Sequence, residues 1–122
     1  DTAALVSTAK DYGLNMSIVA AAKSVNSNMR ERAVIKLQET LKILKGRSIA
    51  ILGLAFKPNT DDLRDAPAID IMNRLAERGA MLRAHDPIAM DRFRREQPHL
   101  ADSLRPSVNE AVQEADAIIL TT

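Results

Sequence analysis

Apolar residues return every three or four positions through the first third of this chain, and at Gly46 the spacing changes. Over residues 2–12, Ala3, Ala4, Leu5, Val6 and Ala9 trace a short helix, with Gly13 placed to end it as a C′ residue. Over residues 17–45, Ile18, Ala22, Val25, Met29, Ala33, Leu37, Leu41 and Leu44 form one apolar stripe. No Pro or Gly interrupts it before Gly46, so the predicted helix is roughly 40 Å long. Two readings of such a helix stand side by side. It packs on its own domain along part of its length, or it is a connector or dimer spine whose stripe meets another subunit.

Past Gly46 the pattern becomes that of alternating strands and helices. Residues 47–52 end in a short apolar run, which suits a strand buried on both faces of a parallel sheet. Gly53 closes that run, and a polar, Pro-broken loop follows. Asp65 near an N-cap and Pro67 in a first turn then open a helix carrying Ala68, Ile71, Met72, Leu75 and Ala76, and Gly79 ends it. Residues 80–84 read as a second strand. Asp86 is a natural N-cap and Pro87 an N1 residue for a helix through Arg95. Residues 97–106 read as loop, and Ser107 with Glu110 as a capping box for a helix to about Glu114. A third strand covers 117–120. The predicted fold is therefore α/β: a long N-terminal helical segment (1–45) followed by a Rossmann-like parallel βαβ half (46–122) with right-handed crossovers. The ligand site of such a sheet lies beyond the carboxyl ends of its strands.

Composition narrows the chemistry. The chain is 46% hydrophobic but 2% aromatic, so its core is aliphatic. A net charge of +1 argues against a nucleic-acid partner bound by bulk charge. With no Cys there is no disulfide, thiolate metal site or thiol nucleophile. No apolar run approaches the roughly 20 residues of a membrane span, and no signal-peptide pattern is present, so a cytoplasmic location is expected. The start at Asp1 without Met and the stop after an apparent buried strand mark the chain as an expected piece of something longer.

The loop after the first strand is the candidate binding element. Gly53 is followed by Leu-Ala-Phe-Lys, not by the rest of a G-x-G-x-x-G fingerprint, so the backbone cannot hug a pyrophosphate in the usual way. A side chain must supply the charge, and Lys57 and Arg64 are the candidates. The competing reading pairs both with Asp61, Asp62 or Asp65 in a solvated loop. Phe56 is one of two Phe in the chain and could equally be core. His85 and His99 have no second ligand at metal spacing. The run Arg92-Phe93-Arg94-Arg95 reads as a solvated helix face. Asp86 stands where an acidic residue meets a ribose in dinucleotide folds, although the N-cap role is simpler.

The residues from Gly53 to Pro67, Gly-Leu-Ala-Phe-Lys-Pro-Asn-Thr-Asp-Asp-Leu-Arg-Asp-Ala-Pro, closely resemble the signature of the UDP-glucose/GDP-mannose dehydrogenase family. Asp1-Thr2 resembles the end of that family's Cys-Phe-Pro-Lys-Asp motif. The stretch from Val25-Asn26 to Arg32 resembles its long central helix. Ala84-His85-Asp86-Pro87 resembles its Tyr-Asp-Pro, with His85 in place of Tyr, and Ala115-Asp116-Ala117 resembles the Ala-Asp-Ala before a late strand.

The resemblance implies an enzyme that oxidises the C6 alcohol of a nucleotide sugar to a carboxylate in two NAD-dependent steps, through a thiohemiacetal on a Cys. UDP-glucose, giving UDP-glucuronate, is the substrate it favours, with UDP-N-acetylmannosamine or GDP-mannose as alternatives. It assigns Asp1 to orienting water and the catalytic groups, Phe56 and Lys57 to the UDP-sugar, and Arg64 to NAD bound on the other domain. It makes the long helix the join between two Rossmann domains and much of a homodimer interface. By the same resemblance the NAD domain, the Cys and the motif Lys precede Asp1, and the sugar-nucleotide domain ends after Thr122, so this chain alone is expected to be inactive. Readings from other classes are a non-catalytic nucleotide-binding dimer module and an interaction domain with no ligand.

Overall fold

The computed structural model describes residues 2–13 and 17–122. Two helices come first, α1 (Thr2–Asp11) and the 25-residue α2 (Ser17–Leu41). Then follow β1 (Ser48–Leu52), α3 (Pro67–Glu77), β2 (Met81–His85), α4 (Met90–Glu96), a 3-10 helix (Pro98–Ser103), α5 (Val108–Val112) and β3 (Ala117–Leu120). The three strands form one parallel sheet in the order β2-β1-β3. This is the α/β architecture expected from the sequence, a helix-rich N-terminal part followed by a parallel Rossmann-like sheet. Ile49, Ala50 and Ile51 are fully buried on the central strand, as a parallel strand covered on both faces requires.

α2 ends four residues before the expected stop. Lys42 takes a left-handed backbone, φ +69, and ends the helix, and the chain turns a second time at Gly46, φ +78. The early turn lets Leu44 drop into the core, where it is 3% exposed, before the chain enters β1. Only the C-terminal half of the predicted stripe packs on the α/β core. Ala33, Leu37 and Leu41 lean on the core around fully buried Val34, whereas Ile18, Val25 and Met29 are 85%, 57% and 57% exposed.

Asp65 stands beside the N-cap of α3, which is Ala66 with no side-chain cap; the Asp65 carboxylate accepts from Arg30 of α2 instead. Two local readings need correction. The segment 97–106 is more than a loop. Leu100, on its 3-10 helix, is buried, and Leu104 bridges to Ala84 and so covers part of the outer edge of β2. The Arg92–Arg95 run is not wholly solvated either, for Phe93 is fully buried while Arg92 and Arg94 pair with acids around it. The capping box is half formed: Ser107 Oγ accepts from the Glu110 N–H at 3.2 Å.

The two loops at the carboxyl ends of β1 and β2 are tied together by Asp86, which is 5% exposed. Its Oδ2 accepts from the N–H groups of Leu54 at 2.8 Å and Ala55 at 3.4 Å. Its Oδ1 accepts from Ile88 and Ala89, each at 2.8 Å. Burial pushes the carboxyl pKa up, but these backbone donors together outweigh it and hold the value below the ordinary 3.8. The helical cap expected at Asp86 is thus a turn cap before α4, and the same side chain also anchors the loop after β1.

Replacing Asp86 with Ala should therefore cost about 3 kcal/mol, since a charged acceptor is lost and its buried donors are left unpaired. Urea denaturation reads this directly. A depressed folded-state pKa means that the stabilisation is present above pH about 4 and is lost as pH falls below that, toward the folded value. The acid side of the stability curve should accordingly be flatter for Asp86→Asn than for the unsubstituted chain. Superimposable acid limbs would refute the tie.

Candidate functional site

A cleft of about 310 Å³ opens at the carboxyl ends of all three strands, where the chain crosses from one side of β1 to the other. Its floor is Leu52, Gly53, Leu120 and Thr122; one wall is residues 57–60, and the other is His85 to Ile88, with Val108 at the side. Gly53 makes the floor possible. Its φ is +91, and a Cβ there would lie 2.5 Å from Thr122 Cγ2 and 2.9 Å from Thr122 O. Only glycine lets the two strand ends approach so closely.

The wall from Lys57 to Thr60 belongs to a closed loop. The Phe56 N–H donates to the Asp62 carbonyl at 2.8 Å. Thr60 Oγ1 accepts from the Asp62 N–H at 3.1 Å, and Asn59 supplies the left-handed turn, φ +61. On this loop Lys57 sits with its Nζ 5.4 Å from the centre of the Phe56 ring, a cation–π contact of about 0.5–1 kcal/mol at an exposed site. Lys57 pairs with no carboxylate among the described residues. Its ammonium therefore faces solvent at the cleft with its charge unspent.

Arg64 is different. It folds back on Asp62, giving three guanidinium bonds of 3.0, 3.2 and 2.8 Å to that carboxylate and a backbone N–H bond of 3.0 Å. These Arg64 side-chain bonds, then its backbone N–H, hold the Asp62 carboxyl far below the usual carboxylate range. Arg64 is 86% exposed and lies outside the cleft lining. The solvated-loop reading thus describes Arg64 in this structure and does not describe Lys57. Phe56 is not core but 45% exposed. The structure brings Phe56 and Lys57 together and sets Arg64 apart, and Asp1 lies outside the described residues.

Of the cleft's other polar residues, the sequence reading weighed Asp86 for a ribose and His85 only for a metal, and gave Asn59 and Thr60 no role. His85 lines it, with Nδ1 2.9 Å from the Arg105 carbonyl, and Thr60 and Asn59 line it too. The available signal was position alone, at the last residue of β2 and in the Pro-Asn-Thr turn. Asp86 lines the cleft as well, but both of its oxygens already take two N–H groups each. With those lone-pair sites filled, it is not available to grip a ribose. His99 bonds Asn73 on the exterior. No cluster of His, Cys, Asp or Glu suited to a metal occurs among the described residues.

The dinucleotide NAD does not fit this sheet in the Rossmann manner. The β1 loop has a single glycine, packed against Thr122, and residues 53–66 separate the strand end from the first turn of α3. What the cleft offers instead is a shallow, mostly apolar floor, an unpaired ammonium and an exposed ring beside it. Such a site suits a planar base or sugar carrying a diphosphate.

Residues 50–122 match the family described as UDP-glucose/GDP-mannose dehydrogenase family, UDP binding domain. A UDP-glucose 6-dehydrogenase of Bacillus subtilis is 38% identical over 122 residues, covering all of this chain and 28% of that protein. One from Rhizobium meliloti is 40% identical over 124 residues, with the same coverage. Among solved structures, a UDP-glucose dehydrogenase from the archaeon Pyrobaculum islandicum superposes with a TM-score of 0.88 at 37% identity, over 99% of this chain and 28% of that one. A GDP-mannose dehydrogenase from Pseudomonas aeruginosa, at 24% identity and TM-score 0.80 over 99% of this chain and 29% of that one, shares the fold. The chain thus spans about 28% of the length of the curated relatives. From its motif, its parallel sheet and these matches together, the chain belongs to the UDP-glucose/GDP-mannose dehydrogenase family.

Proposed function

We propose that this chain is the UDP-sugar-binding part of a cytoplasmic, homodimeric dehydrogenase that oxidises UDP-glucose to UDP-glucuronate with NAD. The observation that carries the reading is the unpaired Lys57 on the wall of a cleft at the strand ends, within the segment that matches a UDP-binding domain. Lys57 neutralises the diphosphate as a point charge, Phe56 packs on the apolar part of the ligand, and loop N–H groups complete the cradle. In this reading residues 46–122 are the UDP-sugar-binding domain, and residues 1–45 are the dimerisation segment.

The remaining roles follow the same reading. Arg64 leaves Asp62 to reach NAD held on the facing domain; an 86% exposed guanidinium gives up little burial in doing so. NAD supplies the hydride acceptor when bound, and its dinucleotide loop belongs to a part of the enzyme outside these residues. Asp1 orients water and the reacting groups. The exposed half of α2, with Ile18, Val25 and Met29 bare in the single chain, meets the second subunit.

Lys57→Ala should weaken UDP binding roughly 10- to 150-fold, the loss of one charge-assisted contact of about 1.5–3 kcal/mol. Arg64→Ala should leave it within about 2-fold. Isothermal titration with UDP checks both, and equal affinities for the Lys57 variant and the original would remove its role. Residues 1–122 alone should give no NADH from saturating NAD and UDP-glucose, because in this reading the NAD-holding loop lies outside these residues and no hydride acceptor is held beside the sugar; with no Cys, the second oxidation would fail as well. Steady absorbance gain above a protein-free control would contradict that assignment. Val25→Lys with Met29→Lys should dissociate the dimer, since a desolvated charge costs several kcal/mol, while leaving the melting of the isolated chain unchanged. Sedimentation equilibrium that finds the doubly substituted protein still dimeric would refute the α2 seam.

A further inference from the structure

Arg30 stands where the long helix meets the loop after β1. Its side chain is 18% exposed. Nη1 donates to Asp65 Oδ1 at 3.2 Å, and Nη2 donates to the Asp65 carbonyl at 3.0 Å. Asp70 Oδ2 lies 3.6 Å from Nη1. Asp65 itself has φ +53, the left-handed region that Asp enters more readily than most L residues but that still favours a held backbone. One guanidinium therefore holds both the backbone and the side chain of the residue between Arg64 and the cap of α3.

The helix that carries Arg30 is itself pinned. Glu31, the next residue, accepts from Arg78 at 2.8 Å and is also paired with Arg74, both on α3. On the other side of Arg64, Asp62 takes its N–H and its guanidinium. Arg64 thus has one neighbour tied into its own loop and the other tied to α2.

We infer that Arg30 is a positioning residue: it fixes the backbone at Asp65 and so sets how Arg64 is presented to NAD, given the role proposed for Arg64. A lysine could not replace it. Two acceptors at fixed separation, a carboxylate oxygen and a carbonyl, match a planar fork and not a point charge. Because the exposed half of α2 is continuous with Arg30, the packing of that helix and the cofactor-facing arginine share one mechanical link.

The test uses the full-length protein that carries this chain, with hydrogen exchange and steady-state kinetics read on the same variants. Arg30→Gln should speed amide exchange at Arg64 and Ala66 roughly 10-fold. It should raise the NAD KM about 5-fold while the UDP-glucose KM stays within about 2-fold. Glu31→Gln, which loosens α2 on α3 without touching Asp65, should lower Tm and change neither reading. Arg64→Ala should raise the NAD KM, and adding Arg30→Gln to it should raise it no further. Equal effects from Glu31→Gln and Arg30→Gln would overturn the inference, because general helix docking would then explain both. An NAD KM that responds to Arg64→Ala but not to Arg30→Gln would overturn it while sparing the role of Arg64. Faster exchange in Arg30→Gln with an NAD KM indifferent to Arg64→Ala would uphold the anchor and overturn the cofactor role instead. If Arg30→Gln does not fold, Arg30→Lys carries the same comparison, with smaller shifts expected in the same direction.

Discussion

Four backbone N–H groups from two separate loops converge on the carboxylate of Asp86, and the cleft exists because they do. Leu54 and Ala55 belong to the loop after β1, while Ile88 and Ala89 belong to the turn after β2. Neither segment has a regular ladder to satisfy its donors once it leaves the sheet, and an unpaired buried N–H is costly. The carboxylate answers both needs at once, so the two walls of the cleft cannot drift apart independently. Gly53 completes the arrangement from the β3 side, by allowing the end of the chain to lie against the end of β1.

Upon that frame the charges of the loop are distributed unequally. Asp62 is occupied by Arg64, Asp61 by Arg92, and Asp65 by Arg30. A net charge of +1 gives no sign of this. Yet once those pairs are formed, Lys57 is left beside a phenyl ring at the rim of a cleft, with no carboxylate partner among the described residues. A cation in that setting has lost little of its hydration and keeps its charge for an anionic ligand, whereas Arg64 must first exchange its partner.

The long helix behaves as two halves with different obligations. From Arg30 onward it is bound to the α/β unit, by Val34, Leu37 and Leu41 packing on the core and by the ion pairs of Arg30 and Glu31 with α3 and the loop before it. Before Arg30 the same apolar periodicity continues, but Ile18, Val25 and Met29 remain exposed. The reading in which the helix packs on its own fold therefore holds for its C-terminal half, while Ile18, Val25 and Met29 in the N-terminal half stay exposed on this chain.

The sequence by itself determined the order of elements, the buried central strand and the family. These depend on local signals: a four-residue apolar run between turn formers, Pro67 and Gly79 as helix limits, and a motif read in one continuous stretch. It also pointed to Phe56 and Lys57 as neighbours at a strand end. It did not determine where α2 stops, because Lys42 adopts a left-handed turn for the sake of Leu44, which must reach a core built from residues far along the chain. Nor could it tell that Asp65 serves Arg30 and not its own helix, that Phe93 lies inside a run of arginines, or that Asp86 is saturated by backbone donors. Each of those outcomes is a choice among partners that are distant in sequence and adjacent in space. Periodicity and local propensity do not carry that choice; burial and hydrogen-bond satisfaction in the folded chain make it.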